Sequence, residues 1–494
     1  MNRKQISLAV AGLLCLGLAG RAAALPLSDY NAADTLDVYM SGATAQDNGL
    51  EAMMRLACMP GTLDIYRNTA SGANQRMMFC RVNNSFVPSF PAAGRKVLVH
   101  KESVVGSLNG VTPVSGTGGS LGTGTALTFM IAPGSSCGAG VSPGLPIDPA
   151  LPNYTEHAGC GTVATASHIP DAGLSDVEPA LFGASPAQIG VLDAASANAV
   201  MFGVPVSRNL RDALQAAQGL TVGRDDEPNM PSLTRAQITS ILTGGVTTWD
   251  QFSDRFGVAL NNAVNNNIFI ARRAFGSGTL ASFNYYFLNT PCANGMAQML
   301  TANDGGTCGA GTVNEQGGTG GLLNCLTNHN TNGRWAIGMA SLENPAPAAS
   351  GWRWIRINDY APTLLNAAET RYDFFSEQSM QWRGASAANP LAGDALALVS
   401  TIRSNLGQPT VINVLNKAFV QNTAGPGATW QGGLLALITN GFSPTDPTAA
   451  PAGPLTAAEV AANPVLTSTK SPTGVTNNCQ PPVIFFPTGA ISTH

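Results

Sequence analysis

Charge is scarce in this chain. Charged residues make up 11% of its 494 residues, less than half the ~25% usual in soluble domains. That excludes a charge-rich disordered chain and a coiled coil. Lysine is nearly missing: Lys4, Lys96, Lys101, Lys417 and Lys470 are five of 25 basic residues, against 29 acidic ones. With Arg3, Lys4 and Arg21 of the first 24 residues set aside, 22 basic residues face 29 acids, net −7. Nucleic acid, which needs a basic footprint, is not the expected partner. The five histidines, His100, His157, His168, His329 and His494, form no H-x-x-x-H pair. There is no C-x-x-C and no G-x-S-x-G elbow. Gly116–Thr125 is glycine-rich but lacks the lysine of a phosphate loop. No metal and no cofactor is expected, and nothing visible pairs a nucleophile with a base. Beyond the N-terminus no run reaches the ~18 apolar residues of a membrane span.

What is present is 44% hydrophobic residues with 55 glycines and 32 prolines. At ~150 residues per domain, the length suits two or three domains with sizeable cores. Arg3 and Lys4, the apolar run Ile6–Ala19 and Ala22-Ala23-Ala24 read as an export signal, with cleavage expected after Ala24. The mature protein is expected to be periplasmic or secreted. Apart from Cys15, eight cysteines remain, an even number that favours disulfides in an oxidising compartment. Eight cysteines allow 105 connectivities. Neighbours in sequence suggest Cys58–Cys80, Cys137–Cys160 and Cys308–Cys325, which leaves Cys292–Cys479.

Strand and helix patterns alternate. Asp34–Met40 reads as a strand before a helix carrying Leu50, Met53, Met54 and Ala57. Lys96–His100, Ala199–Val206, Asn267–Arg273, Trp335–Ala340 and Trp352–Ile357 read as strands. Leu210–Ala217, Leu280–Leu288 and Leu396–Leu406 read as helices, the last with Asp394 placed to cap it. Thr234–Leu242 is the best-marked helix, with Thr234 and Gln237 as a capping box. Residues 105–152 and 303–321 read as loop, and the chain from 421 as an irregular tail held by Cys479. This alternation predicts an α/β fold.

Several strand-to-helix turns carry chemistry. In Arg272-Arg273-Ala274-Phe275-Gly276-Ser277-Gly278-Thr279, a strand ends in cations and a helix follows a glycine turn. Exposed amides at a helix start attract an anion, and one guanidinium can offer it two parallel bonds. A capped tight turn would look the same. Ser41-Gly42-Ala43-Thr44 repeats the pattern. Asp176 precedes Pro179, as an Asx-turn or as an acceptor for a ligand's proton. Ser103 and Ser107 flank Val104-Val105-Gly106.

In order, SGAT, the SD turn, VMFGVPVSRNL, LTRAQITSILTGGVTTW, ARRAFGSGTLASFNYYFL, RWAIGMASLE and YDFFSEQSMQW resemble the periplasmic phosphate-binding proteins of ABC importers, over roughly residues 34–385. The resemblance implies a two-lobed periplasmic-binding-protein type 2 fold with two crossing hinge strands. Residues 25–200 would open lobe 1, 201–364 form lobe 2, 365–420 return to lobe 1, and 421–494 be an extension. It further implies a monomer that binds inorganic phosphate, or a similar tetrahedral oxyanion, between the lobes and delivers it to an importer. Matching the motifs, Thr44, Ala45, Ser103, Ser107, Asp176, Arg273, Ser277, Gly278 and Thr279 would be the ligand-binding residues. Phe275 stands where the family has an Asp that holds the Arg. A secreted phosphatase on this scaffold, or an extracellular structural protein that has lost its ligand, are the alternatives.

Overall fold

The computed structural model describes residues 25–68, 70, 74–141, 151–157, 159–304, 306–309, 311–420, 432–440 and 455–484. The expected signal and its cleavage point lie outside the described residues, as does much of the extension.

In the first lobe, β1 (Thr35–Gly42) passes through a short 3-10 turn into α1 (Asp47–Ala57). Leu50, Met53, Met54 and Ala57 are all buried, so the helical spacing seen in the sequence is the core face of α1. There follow β2 (Asp64–Asn68), β3 (Gln75–Val82), β4 (Arg95–Glu102), β5 (Thr155–His157) and β6 (Ala172–Ser175). Then comes β7 (Leu192–Ser207), which is 16 residues long. The second lobe holds α2 (Arg208–Gln218), α3 (Arg235–Leu242), β8 (Phe269–Arg273), α4 (Gly278–Leu288), β9 (Val313–Gln316), α5 (Thr319–Thr331), β10 (Ala336–Gly338) and β11 (Trp352–Ile357). The chain returns through β12 (Phe375–Arg383) to α6 (Gly393–Leu406) and α7 (Pro409–Val420), and β13 (Leu434–Leu435) comes after them.

The strands run in the order β9-β8-β10-β7-β12-β6-β1-β4-β3-β2-β5. β1 lies parallel to β4 and β6, and β8 lies parallel to β9 and β10. The two lobes meet in an antiparallel pair. Over Leu192–Met201, β7 is registered on β12, while its last residues, Val204–Ser207, pair with β11 of the second lobe. β12 in turn pairs with β6 of the first lobe. These are two strands crossing between two α/β lobes. Parallel strands open their carboxyl ends towards ligands in such sheets. Here the carboxyl ends of β1, β4, β6 and β8 deliver the turns at Thr44, Ser107, Asp176 and Ser277.

Local signals hold where they are strong. Thr234 and Gln237 close a reciprocal box, with Gln237 N donating to Thr234 Oγ1 (3.1 Å) and Thr234 N donating to Gln237 Oε1 (2.8 Å). The 303–321 loop, by contrast, contains β9, whose four residues are placed by parallel pairing with β8. β2 and β3 carry no mark in the sequence reading. Asp394 does not cap α6: Ala392 holds the cap position, and Asp394 pairs with Arg95. The 105–152 segment is mostly loop, but Leu127–Met130 pairs as a strand with Thr165–His168. Disulfides join Cys58 to Cys80, Cys137 to Cys160, Cys292 to Cys479 and Cys308 to Cys325.

Candidate anion cleft between the lobes

Four turns converge where the lobes meet. Gln46 follows Thr44 and Ala45 and donates through Nε2 to Ser175 O (3.1 Å), which ties the first turn to the third. Ser107 is fully buried, and its Oγ accepts from Asp176 N (3.1 Å). The second lobe reaches the same place. A methyl group added at Gly278 would lie 2.3 Å from Ser107 Oγ and 2.5 Å from Asp176 Oδ2, so only a glycine allows this approach. Leu108 N donates to Gly276 O (3.0 Å), a backbone bond across the cleft.

The second-lobe turn starts α4. Ser277 is the N-cap and its Oγ accepts from Leu280 N (3.4 Å), while Thr279 is buried beside it. Arg273, at the end of β8, is only 2% exposed. Its two terminal nitrogens donate to Thr319 Oγ1 (2.6 Å) and Gly317 O (3.0 Å), while Nε is buried without a partner. Among the described residues it forms no ion pair. Burial lowers the guanidinium to about 10, opposed by the charges of Asp176 and Glu343. Asp176 is 3% exposed, and its Oδ1 accepts from Gln378 Nε2 (3.0 Å) on β12. Burial pushes its carboxyl up to about 6, against the hydrogen bond from Gln378 and the charge of Arg273.

The geometry therefore brings Ser107, Asp176 and Gly278 together, with Arg273, Ser277 and Thr279 on the same second-lobe turn, while Thr44 and Ala45 are linked to them through Gln46. Ser103 is the exception. Its hydroxyl donates to Asp47 Oδ1 (2.8 Å) and accepts from Lys101 Nζ (2.6 Å), so a buried first-lobe network has already claimed it. Phe275 does not enter the cleft; it is 73% exposed. Thr319 and Gly317 hold the guanidinium. Sequence reasoning gave a role to none of Thr319, Gly317, Gln378 and Glu343, although Gln378 lies in YDFFSEQSMQW and Glu343 ends RWAIGMASLE, because each meets the site from an element distant in sequence.

No protein-family model matches the chain, and no curated protein matches it. Solved structures resemble it. One from Clostridium perfringens, assigned as a phosphate ABC transporter substrate-binding protein with bound phosphate, is 12% identical with a TM-score of 0.39, covering 75% of this chain and 95% of that one. An ABC-type phosphate transport receptor from Vibrio cholerae is 12% identical with a TM-score of 0.37, covering 75% and 94%. PstS from Borrelia burgdorferi is 11% identical with a TM-score of 0.33, covering 77% and 97%. Identity this low transfers no ligand, and what this cleft can hold follows from its own residues.

An open groove of about 560 Å³ lies elsewhere, between α5 and the 344–352 loop. Its lining includes Leu323, Asn324, Pro345 and Trp352 and no charged side chain, so it offers an anion no counter-charge.

Proposed function

We propose that this protein binds inorganic phosphate, or a closely similar tetrahedral oxyanion, between its lobes and hands it to an ABC importer after export. Residues 25–200 and 365–420 form the first lobe in this reading, and 201–364 the second. The observation that carries it is Arg273, a buried guanidinium that forms no ion pair among the described residues and feels the charges of Asp176 and Glu343 only from beyond ion-pair distance. A buried cation so loosely balanced is costly, and an entering oxyanion lowers that cost. The amides at the start of α4, with Ser277, Thr279 and Ser107, replace the water a phosphate leaves behind. Asp176 accepts the proton of monohydrogen phosphate. No part of this requires bond-making chemistry, which favours a binding protein over a phosphatase.

The test is equilibrium dialysis of the purified chain with labelled phosphate. Arg273→Ala is expected to weaken binding at least ~100-fold, since breaking one partner of a buried charged pair costs ~3–5 kcal/mol. Unchanged affinity in that variant would place the site elsewhere. A chain that binds no phosphate at all would favour the structural reading, for which the C-terminal segment that ties both lobes together is the supporting observation.

A further inference from the structure

Val105 stands in the turn after β4 with a left-handed backbone, at a φ of 70°. A β-branched residue rarely adopts that region and stays there only where its surroundings over-determine it. Burial of its own side chain does not hold it, since Val105 is 44% exposed. The peptides around it are gripped instead, and Asn109 supplies most of the grip. Its Nδ2 donates to Val104 O (3.0 Å), and its backbone N donates to Gly106 O (3.0 Å). Glu102 Oε1 accepts from Val104 N (2.7 Å), while Glu102 Oε2 accepts from Asn109 Nδ2 (3.4 Å), so the two side chains brace each other. Asn109 O accepts from Ser41 Oγ (2.7 Å), which fastens this turn to the one after β1.

The turn so held is the part of the first lobe that meets Gly276 of the second. A methyl group added at Gly276 would lie 2.7 Å from Val105 Cγ1. Leu108 N donates to Gly276 O (3.0 Å), and between them Ser107 sets its Oγ on Asp176 N (3.1 Å). An extended Val105 would redirect the chain between Glu102 and Ser107 and break this approach. We infer that Asn109 is a positioning residue of the cleft: its side-chain amide holds Val105 in the left-handed conformation and so sets Ser107 and Leu108 against the second lobe. Asn109 itself touches no ligand in this scheme. Its effect on phosphate rests on the phosphate reading, whereas its effect on the contact between the lobes does not.

Glycine adopts a left-handed backbone without steric cost. If the Asn109 amide works by offsetting the strain at Val105, it becomes dispensable once that residue is glycine. If it is an ordinary hydrogen bond of the turn, its loss costs the same with either residue.

The experiment is a double-mutant cycle of Asn109→Ala and Val105→Gly in the whole purified chain. One readout is hydrogen exchange of the Leu108 amide without ligand, which reports how often the bond to Gly276 opens. The other is equilibrium dialysis with labelled inorganic phosphate. Asn109→Ala is expected to speed exchange and to weaken phosphate binding, each about tenfold or more. In the Val105→Gly background the same change is expected to alter either readout by less than about threefold. Equal effects in the two backgrounds overturn the inference. So does an Asn109→Ala variant that exchanges Leu108 at the wild-type rate, or that binds phosphate as tightly as a wild type that does bind it. A wild type that binds no phosphate overturns the phosphate reading alone, and the exchange cycle then decides the inference by itself.

Discussion

Sulfate and monohydrogen phosphate carry the same charge and nearly the same shape, but only phosphate has a proton to give. Against Asp176, sulfate would set an oxygen facing a carboxylate oxygen with nothing between them. An unmet buried acceptor costs ~1–3 kcal/mol, enough for about tenfold or greater discrimination. Asp176 is suited to this because its other oxygen is already fixed by Gln378 and its backbone N–H by Ser107. Asp176→Asn puts an amide donor in the same position. Sulfate is expected to compete at least about tenfold better against labelled phosphate in that variant. An unchanged competition curve would remove Asp176 from the selectivity argument.

At the scale of elements, the decisive contact is the N-terminus of α4 against the turns after β4 and β6. Alanine is a better helix former than glycine by ~1 kcal/mol, so a view confined to α4 expects Gly278→Ala to stabilise. The cleft expects the opposite. The added methyl meets Ser107 Oγ at 2.3 Å and Asp176 Cβ at 2.5 Å, so the lobes must part. Overpacking of this kind costs ~1–3 kcal/mol. Phosphate affinity is expected to fall about tenfold or more, with a lower melting temperature in the presence of ligand. A gain in both would show that the lobes do not close on this glycine.

The legible and illegible parts of the chain divide by range. The α3 capping box, β11 and the α1 core face are written within a few residues, and they read correctly. The turns that bear Thr44, Ser107, Asp176 and Ser277 follow the carboxyl ends of β1, β4, β6 and β8. β9 is four residues in a glycine-rich stretch, and only its pairing with β8 makes it a strand. β2 and β3 hide behind Arg67 and Arg76. These arginines pair with Glu51, and Arg76 also with Asp47, inside the lobe, so polar residues there mark buried structure. The same holds at the site. Arg273 was visible, but Thr319 and Gly317, which hold it, and Gln378, which holds Asp176, come from elsewhere in the fold.

For the whole molecule, the distinctive part is the described C-terminal segment, which touches every body that would move when the cleft opens. Asn478 N donates to Glu178 Oε1 (2.8 Å), two residues past Asp176 in the first lobe. Glu377, on the crossing strand β12, accepts from Thr469 Oγ1 and Lys470 N (both 2.7 Å). The buried Lys470 amine, pushed down to about 8 by burial, donates to Phe375 O (2.6 Å) and to Tyr285 OH (3.1 Å) on α4. Cys479 is bonded to Cys292, just past the end of α4 and 187 residues away in sequence. Closure by hinge motion usually meets only the stiffness of two strands. Here a covalently anchored segment spans the joint, so opening must strain or release it. A disulfide constrains by ~2–4 kcal/mol. Removing it with Cys292→Ser and Cys479→Ser together is expected to lower the melting temperature and to speed phosphate release about tenfold or more in a chase with unlabelled phosphate. If melting falls while the release rate stays the same, the segment stabilises the second lobe alone and does not act as a brake on the hinge.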